Sequence, residues 1–113
     1  MSRESASPFT IDWSEYEFSE VRPGIFGATD ETPQLTVTLY RYGAGSSWEE
    51  HAHAEDQVTT VLEGEIDFTV AGELVRLRQG EVACLPGGVP HSADVGSEPV
   101  TTLNVYTLRG SRG

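Results

Sequence analysis

Short strand-like segments, separated by turn residues, run through most of this chain and restrict its fold more than any other feature. Residues 34–42 are β-branched and alternate in polarity, as in a strand. Residues 65–70 and 73–78 predict a hairpin across the Ala71-Gly72 turn. About eight such segments follow one another at short spacing, and no segment has the apolar period of a helix. The pattern predicts an all-β domain, built as a sandwich or a barrel.

The chain has 113 residues, which is the length of one domain. Residues 1–8 are polar and contain a proline, so we expect a flexible tail there. The sequence predicts a single domain over residues 9–109, followed by a short basic tail over residues 110–113.

An acidic and aromatic arm opens this domain. Phe9, Ile11 and Trp13 alternate with polar residues, which is the period of a half-buried strand. The arm either crosses to a partner subunit or packs as an edge strand on its own sheet. A chain of this size buries only a small core, which a dimer interface would extend. The small core and the aromatic arm together favour a homodimer.

Charge and cysteine content exclude several classes of function. The formal net charge is −11 and the isoelectric point is about 4.4. Nucleic acids and anionic membranes are bound through Lys and Arg, so neither is expected as a partner. Cys84 is the single cysteine, so no internal disulfide forms, and its apolar strand predicts a small core residue. The sequence has no signal peptide and no membrane-spanning run, which favours a cytoplasmic protein.

The chain has three histidines. Two of them shortly precede a glutamine in the sequence, and the third follows a turn. His51 and His53 fall in a strand predicted over residues 48–53, where side chains two residues apart share a face. Gln57 adds an amide oxygen, and His91 follows a Pro-Gly-Gly turn that can return the chain to the same place. Imidazole suits zinc, copper, iron and nickel, and an amide oxygen shifts the preference towards manganese and iron. These four residues predict one divalent transition metal ion, with Mn, Fe, Ni, Co, Zn and Cu all left open.

The spacing of these residues resembles the two sequence motifs of the cupins. The first, G-x5-H-x-H-x3-E-x6-G, is matched by Gly45, His51, His53, Gln57 and Gly64, with glutamine in place of the usual glutamate. The second, G-x5-P-x-G-x2-H-x3-N, is matched by Gly80, Pro86, Gly88 and His91, with Val95 in place of asparagine. The resemblance covers about residues 35–109 and implies the double-stranded β-helix, or jelly-roll barrel, of that family. Cupins carry many chemistries, so the fold does not choose a reaction.

Side chains on the neighbouring segments supply candidates for catalysis and for substrate binding. The candidate catalytic residues are Tyr106, Asn104 and Glu55, and the candidate substrate-binding residues are Tyr40, Trp48 and Arg109. Arg109 is the candidate carboxylate anchor because it closely follows Tyr106. The expected metal ligands are all neutral, so the ion would keep its full charge to polarise a carbonyl or to lower the pKa of bound water.

Within the cupins, the chain resembles the small KdgF-like proteins, which linearise unsaturated uronates. The shared features are the His-x-His-x3-Gln run, the Leu-Glu-Gly-Glu turn at 62–65 and the Val-Pro-His sequence at 89–91. That resemblance implies an acidic acid/base residue at the position of Asn104, and an amide cannot take up a proton in that role. Either Tyr106 or Glu55 replaces it, or the reaction differs.

Three functions are therefore open. The first is a non-redox metalloenzyme, an isomerase, cyclase or lyase, acting on a small oxygenated substrate such as a sugar acid. The second is an iron or copper cupin dioxygenase with the same ligands. The third is a cupin that binds a small molecule without catalysis.

Overall fold

The computed structural model describes residues 8–107, which form ten β-strands and one short 3₁₀ helix. In chain order the helix is Trp13–Glu15 and the strands are β1 Ser19–Arg22, β2 Ile25–Glu31, β3 Leu35–Tyr42, β4 Ser47–His51, β5 Asp56–Glu63, β6 Glu65–Val70, β7 Glu73–Arg78, β8 Val82–Leu85, β9 His91–Val95 and β10 Val100–Thr107. Arg109, the predicted C-terminal tail and all but the last residue of the predicted N-terminal tail lie outside the described residues. No helix of residues 8–107 is long and apolar enough to cross a membrane.

Two antiparallel sheets build the domain. The larger sheet has the order β1-β2-β3-β10-β5-β8, and the smaller sheet has the order β4-β9-β6-β7. The chain passes repeatedly from one sheet to the other, for example from β3 to β4 and from β9 to β10, as in a jelly roll. The predicted all-β class and jelly-roll architecture are confirmed.

The inward-facing side chains change from apolar to polar along the strands. Ile25, Val61, Ile66 and Val100 are at most 1% exposed and form the centre of the core. Each such buried side chain contributes about 1.5–3 kcal/mol relative to an exposed one. Along β10 the inward series continues from Val100 through Thr102 and Asn104 to Tyr106. The polar end of this series is where the candidate site lies.

The predicted hairpin of β6 and β7 is confirmed in its register. Val70 pairs with Glu73 across a two-residue turn. Ala71 has a φ of 49° and Gly72 a φ of 83°, so both turn residues are left-handed. Such turns match the twist of the flanking strands.

The sequence pattern does not predict β1 and β2, because Pro23, Gly24 and Gly27 are all of residue types that are typical of turns. Only the first two form the turn between these strands. Gly27 lies inside β2 and pairs with Tyr40 of β3. A Cβ at position 27 would lie 2.9 Å from the Tyr40 ring, so the glycine makes room for this tyrosine.

The N-terminal arm packs on its own chain. The strand expected over Phe9 to Trp13 is wrong, because a 3₁₀ turn forms at Trp13–Glu15. The Tyr16 hydroxyl donates a 2.6 Å hydrogen bond to the buried carboxylate of Asp30, and the Arg41 guanidinium lies 4.0 Å from the Phe18 ring centroid. These contacts attach the arm to β2 and β3.

Cys84 is exposed, so its assignment to the core is wrong. It lies in β8, an edge strand of the larger sheet, and pairs with Val58. Val58 and Val82 are 38% and 53% exposed, so this part of the outer sheet face is open within the described chain. An apolar segment can therefore be a strand with one uncovered face.

Candidate metal centre

The three histidines come together at the open end of the barrel. His51 ends β4 and pairs directly with His91, which begins β9. The ring centroids of these two residues are 4.4 Å apart, and that of His53 is 5.0 Å from His91 and 5.5 Å from His51. One ligand nitrogen from each ring lies within 4.8 Å of the others. The structure thus brings together the three predicted histidine ligands.

The route by which His53 reaches the site differs from the predicted one. β4 ends at His51 after an irregularity in its pairing, and His53 lies in the following loop. The backbone carbonyl of His53 accepts a 2.7 Å hydrogen bond from Gly88 N. The Asp56 carboxylate accepts a 2.8 Å bond from Gly87 N. The turn of the second motif therefore holds the loop that carries His53. The position of His53 does not follow from alternation along a strand.

Each imidazole has its Nδ1 atom directed at a backbone carbonyl. His51 Nδ1 lies 2.9 Å from Glu49 O, and His53 and His91 make the same contact at 3.1 Å, with Glu55 O and Val89 O. A carbonyl oxygen can only accept, so Nδ1 carries the proton in all three rings. The Nε2 lone pairs are then available for a metal ion, and such a backbone partner is the usual way to orient a histidine ligand.

His91 Nε2 is the one buried side-chain polar atom without a hydrogen-bond partner in the described residues. Burial lowers the pKa of His91, and the neighbouring His51 and His53 add to this effect against the opposing bond to Val89. The lowered pKa favours the neutral ring, whose Nε2 lone pair is then unused. Buried polar groups without partners are rare in native proteins, and an ion at this point would satisfy the atom.

Gln57 lies in β5 and completes the set of four. Its Oε1 atom is 3.1 Å from His53 Nε2. Because Nδ1 of His53 carries the proton, this contact joins two lone-pair atoms. Two acceptors this close need a proton or a cation beside them. The four predicted ligands therefore fit a divalent metal ion, and the two acceptors would share it.

A buried polar network holds the other end of the Gln57 side chain. Its Nε2 donates to Thr59 Oγ1 at 2.8 Å and lies 3.5 Å from Asn104 Oδ1. The Asn104 amide donates to Thr102 Oγ1 at 2.9 Å and to the Thr38 carbonyl at 3.4 Å. Asn104 is 1% exposed and lies beneath Gln57, so it does not reach the pocket. The expectation that it touches a substrate needs correction, because its contacts make it a support for Gln57.

A cavity of about 390 Å³ opens above the histidines. Among the predicted residues, Tyr40, Trp48, Glu55 and Tyr106 line it. The cavity wall is strongly aromatic, since Tyr42 and Phe68 also contribute. A wall of this kind suits a small organic molecule held by a few polar groups.

Tyr106 and Arg22 add polar groups to this wall. Burial raises the pKa of Tyr106 above its ordinary value, and nearby Tyr40 adds to the effect, so its hydroxyl is a hydrogen-bond donor. The Tyr106 ring lies 5.7 Å from that of His53. Arg22 is a pocket residue that the sequence did not indicate. It follows an irregularity in β1, and no alternation pattern identifies such a position.

Comparison with known proteins agrees with the fold. A family model described as a cupin domain matches residues 38–106. Quercetin 2,3-dioxygenase of Bacillus subtilis is 33% identical over 76 residues, which are 66% of this chain and 22% of that enzyme's length.

Two solved structures share the fold over nearly the whole chain. An RmlC-like cupin from Shewanella frigidimarina aligns with a TM-score of 0.82 and 22% identity, covering 91% of this chain and 94% of its own. KdgF from a Halomonas species aligns with a TM-score of 0.78 and 24% identity, covering 92% and 96%. Because the family model spans more than half of the chain and the strands form the same barrel, this protein belongs to the cupin domain family.

Proposed function

We propose that this cupin is a metal-dependent enzyme of the non-redox type, an isomerase, cyclase or lyase that acts on a small oxygenated substrate such as a sugar acid. One observation carries the proposal: three imidazole lone pairs and one amide oxygen converge at the base of an aromatic pocket of about 390 Å³. A divalent ion bound there would supply Lewis-acid chemistry with its full charge, because the four ligands are neutral.

The residues around the cluster have separate tasks in this proposal. Glu55 is the one carboxylate that lines the pocket among residues 8–107, so it is placed to exchange a proton with a bound substrate. Tyr106 would donate a hydrogen bond to a substrate oxygen near His53. Tyr40 and Trp48, with ring centroids 5.2 Å apart, form an apolar wall that excludes water and fixes the substrate plane. The resemblance of the His-x-His-x3-Gln run to KdgF-like proteins favours a sugar acid as the substrate class, and KdgF shares the fold.

A dioxygenase is the second candidate, and the 33% identity to quercetin 2,3-dioxygenase favours it. The same three histidines could hold iron or copper. In that case the aromatic wall would bind a planar substrate such as a catechol or a flavonol.

Metal content and oxygen uptake separate the two candidates. Protein purified without added metal would be assayed for metal and then reconstituted anaerobically with Fe(II), Cu(II), Ni(II), Mn(II), Co(II) or Zn(II). Each form would be tested for oxygen consumption with catechols, flavonols and diketones. The proposal expects stoichiometric metal, no substrate-dependent oxygen uptake, and conversion of a sugar acid or a related carbonyl compound. Oxygen uptake that requires Fe or Cu together with a substrate would contradict it and establish the dioxygenase.

A further inference from the structure

A β-bulge brings Arg22 to the lining of the pocket, where its side chain stays 42% exposed. The pairing of β1 with β2 shifts between Glu20 and Arg22, and Arg22 then pairs with Ile25. Ile25 is fully buried on the inner face of the sheet. Directly paired residues project to the same face, so the bulge directs Arg22 towards the pocket.

Trp48 holds the guanidinium group at the pocket wall. The central carbon of the Arg22 guanidinium lies 4.8 Å from the Trp48 ring centroid, which is within the range of a cation–π contact. The Trp48 ring centroid also lies 5.8 Å from that of His51. Trp48 therefore neighbours both the cation and a histidine of the candidate metal centre. A small molecule with oxygen ligands at one end and an anionic group at the other could contact both.

The other arginines within residues 8–107 have partners away from the pocket. Arg76 is bound to Asp67 at 2.7 Å, and Arg78 is bound to Glu65 at 3.2 Å. Arg41 lies over the Phe18 ring of the N-terminal arm. Arg22 is thus the one cation that lines the pocket in the described chain.

The overall charge makes this cation more significant. The chain has 18 acidic residues against seven basic ones, so its long-range field repels anions. A carboxylate ligand therefore depends on local positive charge. Arg22 would supply such a charge at the pocket wall, in addition to that of a bound metal ion.

Arg22 donates from Nη1 to the Val21 carbonyl at 2.8 Å, and its ion-pair partner Glu49 is easily exchanged. The Arg22 Nε atom lies 3.5 Å from a carboxylate oxygen of Glu49, whose side chain is 77% exposed. Exposed ion pairs contribute little to stability. A substrate carboxylate could take the same side of the guanidinium and gain the paired hydrogen bonds that arginine offers to carboxylates.

We propose that Arg22 binds a carboxylate group of the substrate while other oxygens of the same molecule lie against His51, His53 and His91. This inference rests on the proposed function, because it requires a metal ion to hold those oxygens. It narrows the substrate class to small acids whose carboxylate is separate from the metal-binding oxygens. Arg22 would then determine specificity between acids and their neutral analogues.

Two matched probes test the inference by binding alone. The Ni(II)-loaded protein would be titrated anaerobically, by calorimetry, with 3,4-dihydroxybenzoate and with its methyl ester. Both have vicinal oxygens that can chelate a metal ion, and only the first has a free carboxylate. We expect the wild type to bind the acid roughly tenfold more tightly than the ester. Arg22→Gln should lose this preference, Arg22→Lys should keep part of it, and Arg41→Gln should keep all of it.

The binding results either support or overturn the role of Arg22. If the preference for the acid survives in Arg22→Gln, or if the wild type binds both probes equally, the role of Arg22 is overturned and the chelating site stands. If neither probe binds to wild-type protein that holds one Ni(II) per chain, chelation by the bound metal is overturned, and the role of Arg22 falls with it. Loss of the preference in Arg22→Gln, with the affinity for the ester unchanged, supports the proposal.

Discussion

The hydroxyl of Thr59 donates a 2.7 Å hydrogen bond to the amide oxygen of Asn104, and this bond fixes which way the Gln57 amide points. Asn104 is itself oriented, because its NH₂ group faces backbone carbonyls that can only accept. Since the Thr59 proton is used, the Thr59 oxygen must accept from Gln57 Nε2. The Gln57 oxygen is then turned towards His53 and the candidate metal centre.

Thr59→Val should weaken metal binding, because it removes the group that orients Gln57. Supporting contacts of this kind change metal affinity by roughly 10- to 100-fold when they are lost. We expect Thr59→Ser to bind metal like the wild type, since it keeps the hydroxyl. Thr60→Val is the matched control, because Thr60 is the next residue of β5 and projects to the opposite face. Competition with a chromophoric chelator measures the affinities, and equal values for Thr59→Val and Thr60→Val would refute the orienting role.

Gly64→Ala should destabilise the fold more than Gly72→Ala. Both glycines have positive φ, 89° and 83°, so alanine is strained at either position by about 1–2 kcal/mol. Only at position 64 would the new Cβ also meet backbone, 2.6 Å from Pro99 O. That contact should add about 1–3 kcal/mol through displacement of the buried Val100 segment. Urea unfolding of the two variants measures the difference, and equal losses would show that the close approach at Gly64 is relieved without cost.

Tyr16→Phe should lower the free energy of unfolding by about 1–3 kcal/mol, because it removes a hydrogen bond to a buried carboxylate. Ser14→Ala, an exposed position in the same arm, should change it by less than about 0.5 kcal/mol. Thermal or urea unfolding tests the pair. A Tyr16→Phe variant as stable as the wild type would mean that the arm is not held by this contact in solution.

The homodimer remains a prediction. The arm packs on its own sheet, so it does not support the expected crossing to a partner subunit. Val58, Leu62 and Val82 are exposed instead on the outer face of the larger sheet. A second copy could cover this outer face. Light scattering at micromolar concentration should give the mass of two chains, and a monomer mass would end this expectation.

The spacing of the ligands was sufficient to predict the candidate metal centre, but not how the chain builds it. His51, His53, Gln57 and His91 converge as the motif spacing implies. His53 does so from a loop, held by Gly88, because a local hydrogen bond overrides simple strand alternation.

The positions of Arg22 and Cys84 depend on two structural features that the alternation of polar and apolar residues does not encode. A β-bulge reverses which face a side chain occupies, and the residues of β1 contain no signal for the bulge before Arg22. Whether an apolar strand is covered on both faces depends on what packs against the sheet, so the exposure of Cys84 follows from its place on the open outer face, beside Val58.

The number of metal ions bound per chain tests the central claim most directly. Wild-type protein and the variants His51→Ala and His53→Ala would be dialysed against Ni(II) or Zn(II) and analysed for metal by mass spectrometry, with circular dichroism to follow folding. We predict one ion per wild-type chain and none in either variant, with cooperative unfolding retained because these two side chains face the pocket. Wild-type protein that binds no transition metal ion, or variants that keep a full equivalent, would contradict the assignment of His51, His53, Gln57 and His91 as a metal centre.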